Sequence, residues 1–329
     1  MYMVASVLFC FGGRSCGHQF FYMDRFDAVG MLSCRKLGDM EALHVTDEQK
    51  HAIILANPAT GGGSGLQVGE QRRGTVRENL AGNMDTSFLK LLALAFMLVD
   101  HMGAALYPGV QELRIVGRMA FPLYAWCLVV GSVKTRSPLR YGLRLLGLAL
   151  ISQPLYMMAL SHQWTDGNIL FTLLLALFAI WGIRARRLGS ELWAPALCYL
   201  LLGFCKVDYG WRGLTFILVL YAARENRTGL AAAFVAYALF WGASSYAVTT
   251  VLGYPLRFLQ WPGIGTVLSA FLRMQGMVWL ALPLILIPTH TGIRLPKWLG
   301  YVLYPLHLIV LIVLRLMHGA TWAMLLQGF

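Results

Sequence analysis

An acid, an imidazole and two guanidinium groups stand close together in this sequence: Asp100 and His101 in LVDHMG, then Arg114 and Arg118 in LRIVGRM. Residues four apart share one face of a helix, so the two arginines can present side by side. A carboxylate beside arginines makes either a structural ion pair or one wall of a pocket for an anion, and an imidazole adds a group that can accept and return a proton. Further polar residues punctuate the apolar chain downstream: Gln153 in LISQPLYMM, Asn168 in GNILF, Asp208 and Tyr209 in DYGWRG, and His307 in YPLHLIVL. Taken singly, Asn168 and Asp208 read as helix N-caps, and His307 as a hydrogen-bonding group on an apolar face. The six cysteines include no CxxC pair, and no His pattern completes a metal site. Cys127 and Cys198 fall within apolar runs, where a free cysteine packs as a small hydrophobe.

The elements that must position these groups are membrane helices. Of 329 residues, 58% are hydrophobic and only 13% charged, which makes a bilayer the natural solvent. Residues 1–83 are of another kind: eight Lys/Arg balance eight Asp/Glu, and ANPATGGGSGLQVG reads as flexible linker. This stretch is expected to be a disordered or spurious N-terminal extension, with the helical protein beginning at Met84. Its GGSG resembles a protease nucleophile motif but lies in linker rather than at a helix start. Residues 84–329 hold nineteen Lys/Arg against seven Asp/Glu, the whole of the net charge of +12. Those cations sit in short loops between apolar runs, the pattern of a topology signal rather than of a nucleic-acid groove.

From Ser87 onward the apolar runs predict an all-α, polytopic membrane bundle of about nine helices, near 87–107, 113–132, 138–160, 167–183, 190–204, 211–223, 229–250, 265–288 and 298–318. Alternate gaps are basic: Lys134, Arg136 and Arg140; Arg184, Arg186 and Arg187; Arg224 and Arg227; Arg294 and Lys297. The positive-inside rule then sets the N-terminal end inside and the C-terminal end outside, in a bacterial inner membrane. Asp100 and His101 lie about 20 Å along the first helix, in the outer half. The short outer loop makes the first two helices antiparallel neighbours, so Arg118 meets His101 at similar depth. Pro154 is expected to break the third helix. Each charge near the bilayer centre costs about 2.5–3.5 kcal/mol, so a cluster of them points to function.

The ordered pieces LKLLALAFMLVDHMGA, LRIVGRMAFPLYAW, RYGLRLLGLALISQPLYMM, GNILFTLLLAL, DYGWRG and YVLYPLHLIVL resemble the TraX family, over residues 84–318. That resemblance implies a membrane-embedded acetyltransferase that takes its acyl group from acetyl-CoA, and a family whose eponymous member acetylates the N-terminus of a conjugative pilin. It implies His101 as the acyl-transfer base, and Arg114 and Arg118 as acyl-CoA-binding groups; Asp100, next to the base, is expected to orient the imidazole or to balance its developing charge. The same outer layer adds Gln153, Asn168, Asp208, Tyr209 and His307 as binding residues. The acceptor is an amine or hydroxyl, either on a small molecule or on a pilin-like protein; direct transfer and an acyl-His intermediate both remain open. A proton-coupled transporter or flippase for an anionic solute would use the same cluster, although the two halves of the chain show no inverted repeat.

Overall fold

The computed structural model describes residues 80–327, together with the pairs 21–22 and 35–36. The chain divides into two units, Met1–Gly74 and Thr75–Phe329. In the first, β1 (Phe21–Tyr22) pairs antiparallel with β2 (Arg35–Lys36). The rest of that unit, the Gly-rich linker and its GGSG included, lies outside the described residues.

The second unit is helical. Its first helix, α1 (Thr86–Ala105), starts at Asp85, whose carboxylate accepts from the Phe88 N–H at 3.2 Å and from the Thr291 hydroxyl at 2.6 Å. Slight burial works against ionisation of Asp85, but these bonds hold its carboxyl below the usual range. One stripe of α1 is buried: Leu89, Ala93, Met97, Asp100 and His101. Leu89, Ala93 and Met97 follow one another at helical spacing as an apolar stripe, and Asp100 and His101 extend it as a broader polar end. After a tight turn come α2 (Gln111–Gly117) and α3 (Ala120–Lys134). Only Arg118 and Met119 separate them, and together they form a run of 24 residues. Phe121, Leu123, Ala125, Trp126, Leu128 and Val129 bury α3 on every side, as befits a central helix.

There follow α4 (Pro138–Leu160), α5 (Ile169–Ala185), α6 (Ser190–Phe204), α7 (Gly210–Ala222) and α8 (Arg227–Gly242), of which α5 and α7 pack on α3 and α6 packs on α5. Contrary to expectation, α4 continues through Pro154 without a break. Proline removes one N–H and leaves the carbonyl four residues back unpaired, a loss that packed membrane helices absorb.

The largest departure from the sequence reading is at residues 243–288. The predicted seventh helix ends early, at Gly242, and the predicted eighth is not one helix. A hairpin, β3 (Thr250–Val251) with β4 (Tyr254–Pro255), turns on Leu252 and Gly253, both with positive φ. Beyond it follow α9 (Ile264–Phe271), a 3-10 turn over Gly276–Ala281 and α10 (Leu282–Leu286). The interruption has a tertiary cause. A Cβ at Gly242 would sit 2.9 Å from the Cα of Gly276, so two backbones touch where only glycine fits. Arg273 adds hydrogen bonds to the carbonyls of Ala243 and Ser245 at 3.0 and 2.6 Å.

The last long helix, α11 (Lys297–Met317), packs between α1 and α4, and α12 (Trp322–Leu325) closes the described chain. Among the described residues four runs are long and apolar enough to cross a bilayer: Thr86–Ala105, Gln111–Lys134, Pro138–Leu160 and Trp298–Met317. The shorter apolar helices Ile169–Ala185, Ser190–Phe204, Gly210–Ala222 and Gly276–Leu286 accompany them. Outward faces are apolar, as with Leu143 and Ile151 on α4, Leu200 and Phe204 on α6, and Val302 and Val313 on α11. This is a membrane protein, mostly helical.

The boundary expected after residue 83 cuts through a packed cluster. Asn83 is fully buried, with its N–H donating to the Ile285 carbonyl at 2.6 Å and its amide nitrogen to Leu284 and Thr289. Trp126 donates to the Asn83 carbonyl at 2.8 Å and covers Gly82, where a Cβ would lie 2.4 Å from its ring. Residues 80–83 are therefore built into the bundle.

Candidate functional site

Two missing side chains let α1 and α2 meet. At Gly117 a Cβ would fall 2.3 Å from the Cβ of Asp100, and at Gly103 it would fall 2.8 Å from that of Leu113. Asp100 therefore receives both arginines: Arg114 Nη1 donates to Oδ2 at 2.8 Å and Arg118 Nη2 to Oδ1 at 2.6 Å. Arg118 also donates from Nη1 to the Gln275 side-chain oxygen at 3.1 Å and, at 3.4 Å, from Nε to the Arg114 carbonyl. Arg118 is 5% exposed at its side chain and Arg114 32%, so Arg114 is the guanidinium that solvent or a ligand can reach. Breaking a buried pair of this kind strands a charge, which gives it a firm geometry.

Of the two roles expected of Asp100, orienting the imidazole by a hydrogen bond is not what the geometry shows. Both of its oxygens are engaged by arginine, and His101 Nδ1 has no hydrogen-bond partner. Adjacent residues on a helix diverge by about 100°, so Asp100 faces α2 while His101 faces α11. There the His101 ring stacks on His307 at 5.3 Å between centroids, 25° from parallel. Tyr304, one turn earlier on α11, meets His307 edge-on at 5.0 Å. The Tyr304 hydroxyl and both ring nitrogens of His307 are buried without a side-chain partner, the imidazole lying against the backbone of Leu303 and Tyr304. Buried polar groups nearly always find one, and here His101 and Tyr304, each in ring contact with His307, keep a polar atom without one.

Asp100, His101, Arg114 and Arg118 open into a cavity of about 420 Å³. Asp208 and Tyr209 form its opposite wall. Tyr209 sits in left-handed backbone at φ 62°, a costly conformation for a residue with a Cβ. Its ring lies flat on Phe121 at 4.2 Å, and Trp241 meets both rings edge-on at 5.6 Å. Gly213 makes room, since a Cβ there would be 2.7 Å from that of Tyr209. Burial pushes the Asp208 carboxyl up to about 6 although Arg118 pulls it down, and burial likewise raises the Tyr209 phenol.

The structure brings six of the nine predicted residues to the cavity wall and sets His307 directly behind His101. Gln153 and Asn168 go elsewhere. Asn168 donates from its side chain to Gln153 and to the Ala149 carbonyl, at 3.0 and 2.9 Å, and caps α5 by accepting from Leu170. Gln153 donates in turn to the Asp166 carbonyl at 2.9 Å. The pair ties the α4–α5 turn together and does not line the cavity. Residues not foreseen complete it: Gln275, Arg212, His162, Tyr156 and Tyr304. Arg212 was visible within DYGWRG, and Gln275 as a polar residue within an apolar run. His162 stacks flat on Tyr156 at 4.8 Å.

The family described as TraX protein matches residues 85–315. Over 168 residues the chain is 33% identical to the probable fimbrial assembly protein FimC, serogroup H1, of Dichelobacter nodosus, a match covering 45% of this chain and 68% of that protein. It is 32% identical over 151 residues to Protein TraX of Escherichia coli strain K12, covering 42% of this chain and 57% of that one. A second Protein TraX from Escherichia coli is 30% identical over 184 residues, 48% of this chain and 70% of the relative. No solved structure matches.

Proposed function

The chain belongs to the TraX family, and from that premise we propose that it is a multi-pass inner-membrane acetyltransferase. It moves an acetyl group from acetyl-CoA to an acceptor amine or hydroxyl. The observation that carries this reading is the His101–His307 pair, without side-chain partners, beside arginines held by a carboxylate, all at the wall of one cavity. A relative named as a probable fimbrial assembly protein, and two named TraX, support a pilus-subunit amine as the acceptor.

In the transfer, His101 accepts a proton from the acceptor as its nitrogen or oxygen forms a bond to the thioester carbonyl carbon. When that intermediate collapses the carbon–sulfur bond breaks, and the departing thiolate takes the proton back from the imidazole. A positioned base of this kind is worth about 10²–10⁴-fold in rate. Arg114, partly exposed to the cavity, stands where a guanidinium can stabilise the transient oxyanion or a donor phosphate. Asp100 acts on the arginines: it fixes both forks and leaves the pair with a single net positive charge. With the N-terminal end inside, the cavity opens at the outer end of the bundle.

Acetyl-CoA binding tests this. At 100 times its dissociation constant a ligand stabilises the folded state by about 2.7 kcal/mol, which thermal unfolding of the purified protein resolves. The expected result is an upward shift with acetyl-CoA. No shift, together with proton-coupled uptake of an anion by proteoliposomes, would install the transporter instead.

A further inference from the structure

A second cavity, of about 140 Å³, lies between α1, α3, α4, α5 and α11. Four phenols line it, Tyr124, Tyr141, Tyr301 and Tyr304, and Lys90 stands exposed at its margin on the first turns of α1. Tyr304 belongs to the walls of both cavities. Each of the other four helices repeats the same order. On α4 the second cavity touches Tyr141 to Leu148 and the first touches Tyr156 and Leu160; on α3 the second touches Tyr124 to Leu128 and the first Ala120 and Phe121. On α1 the second takes Lys90 and the first Met97 onward, and on α5 they divide between Leu170 and Ile169. The cavities are therefore stacked end to end along the bundle. From Tyr141 to Leu148 the helix rises about 10 Å, so this small volume is drawn out into a slender passage and not gathered into a chamber.

A slender passage, apolar along Leu145, Leu148 and Leu173 but set with hydroxyls, suits an uncharged chain carrying a few amide groups. It does not suit a bulky or multiply charged head. Resting on the acetyltransferase reading, we infer that the second cavity receives the amide-bearing arm of the acyl thioester, entering from the Lys90 end, and that Tyr304 is the partition it displaces to reach His101. The Tyr304 hydroxyl, buried and unbonded, is a free donor and acceptor for such an amide. Lys90 stays outside with the anionic head. Donor and acceptor then approach from opposite ends of the bundle, and a group on one side of the membrane is acetylated at the expense of a thioester on the other.

Gly300 offers a way to plug the passage. It lines the second cavity, and a Cβ there meets nothing nearer than Leu295 Cδ2 at 3.6 Å. Gly300→Phe therefore adds bulk on a helix that gains by losing a glycine; Leu148→Phe is a second plug from α4. Acetyl-CoA binding is measured on each full-length variant in detergent. In oriented proteoliposomes, labelled acetyl-CoA is supplied at one face and an acceptor peptide at the other. The expected result is at least tenfold weaker acetyl-CoA binding in both folded variants, and wild-type transfer to peptide only when acetyl-CoA is at the Lys90 face. Plugged variants that bind acetyl-CoA as wild type does, or transfer requiring both reactants at the same face, would overturn the passage while leaving the acetyltransferase standing. A wild-type chain that binds no acetyl-CoA overturns both. Should a plug prevent folding, the sidedness of the wild-type reaction decides.

Discussion

Two groups of polar side chains meet at neighbouring positions of α1, one at Asp100 and one at His101, and differ in one respect. Asp100, Arg114, Arg118 and Gln275 satisfy one another, with bonds of 2.6 to 3.1 Å. His101, His307 and Tyr304 touch only as rings, and four of their polar atoms have no side-chain partner. A bonded network fixes geometry, since each member is costly to remove. An unbonded group contributes little to stability and keeps its capacity for a ligand. On the proposed function, the first group is the frame and the second is the reactive surface held in it. The Gln153–Asn168 pair belongs with the frame, although it shares the outer layer with the reactive residues.

That contrast predicts opposite outcomes for neighbouring substitutions. The largest effect is on Asp100→Ala, which leaves two guanidinium groups without their counter-charge; a loss of about 3–5 kcal/mol is expected for a broken buried pair. Folded yield and thermal unfolding in detergent read it directly, and a variant as stable as wild type would show that the arginines find other partners. Next is Asn168→Ala, which strands Gln153 and uncaps α5, at about 1–3 kcal/mol. Its folded fraction should retain acetyl transfer at near wild-type rate. His307→Leu should change stability by less than Asn168→Ala, because it strands no other side chain and uncaps no helix, yet it should lower transfer more. The reverse ranking of those two would erase the distinction between frame and reactive surface.

The smallest effect concerns pH. The Asp208 carboxyl, raised from 3.8 to about 6 by burial, keeps its proton in the folded chain over a range where the unfolded chain has lost it. Stability therefore falls as pH rises from about 4 to about 6 and levels off above that. Asp208→Asn should flatten this slope in thermal unfolding measured across the interval. An unchanged slope would assign it to another group.

The meeting of α1 with α2 was legible because it is local: a short turn joins them, and the period of a helix sets Asp100, Arg114 and Arg118 on facing sides. His307 was legible only as a lone polar residue, since the ring that pairs with it lies about two hundred positions away in the chain. Gln275 was hidden inside a run that reads as one continuous helix. What stops that helix is the contact of Gly276 with Gly242, a tertiary event without a local signature. Asn168 and Gln153 had the right depth and polarity for a site. Their mutual hydrogen bonds, which exclude them from the cavity, depend on the path of the α4–α5 turn. Asn83 differs in the other direction: it falls at the end of the stretch expected to be a disordered or spurious extension, and its partners are residues 284, 285 and 289.

The central claim, that His101 is a base in an acetyl transfer and not part of the frame, is tested most directly by a single-turnover assay. Purified wild type and His101→Ala are mixed with labelled acetyl-CoA and an amine-bearing peptide, with acetyl-CoA binding measured on the same samples. The account predicts that His101→Ala still folds, its loss of stability coming from the packing of one buried ring and not from a broken hydrogen-bond network. It also predicts that the variant binds acetyl-CoA with wild-type affinity and transfers acetyl about 10²–10⁴-fold more slowly. Transfer at the wild-type rate by a folded His101→Ala protein would contradict it.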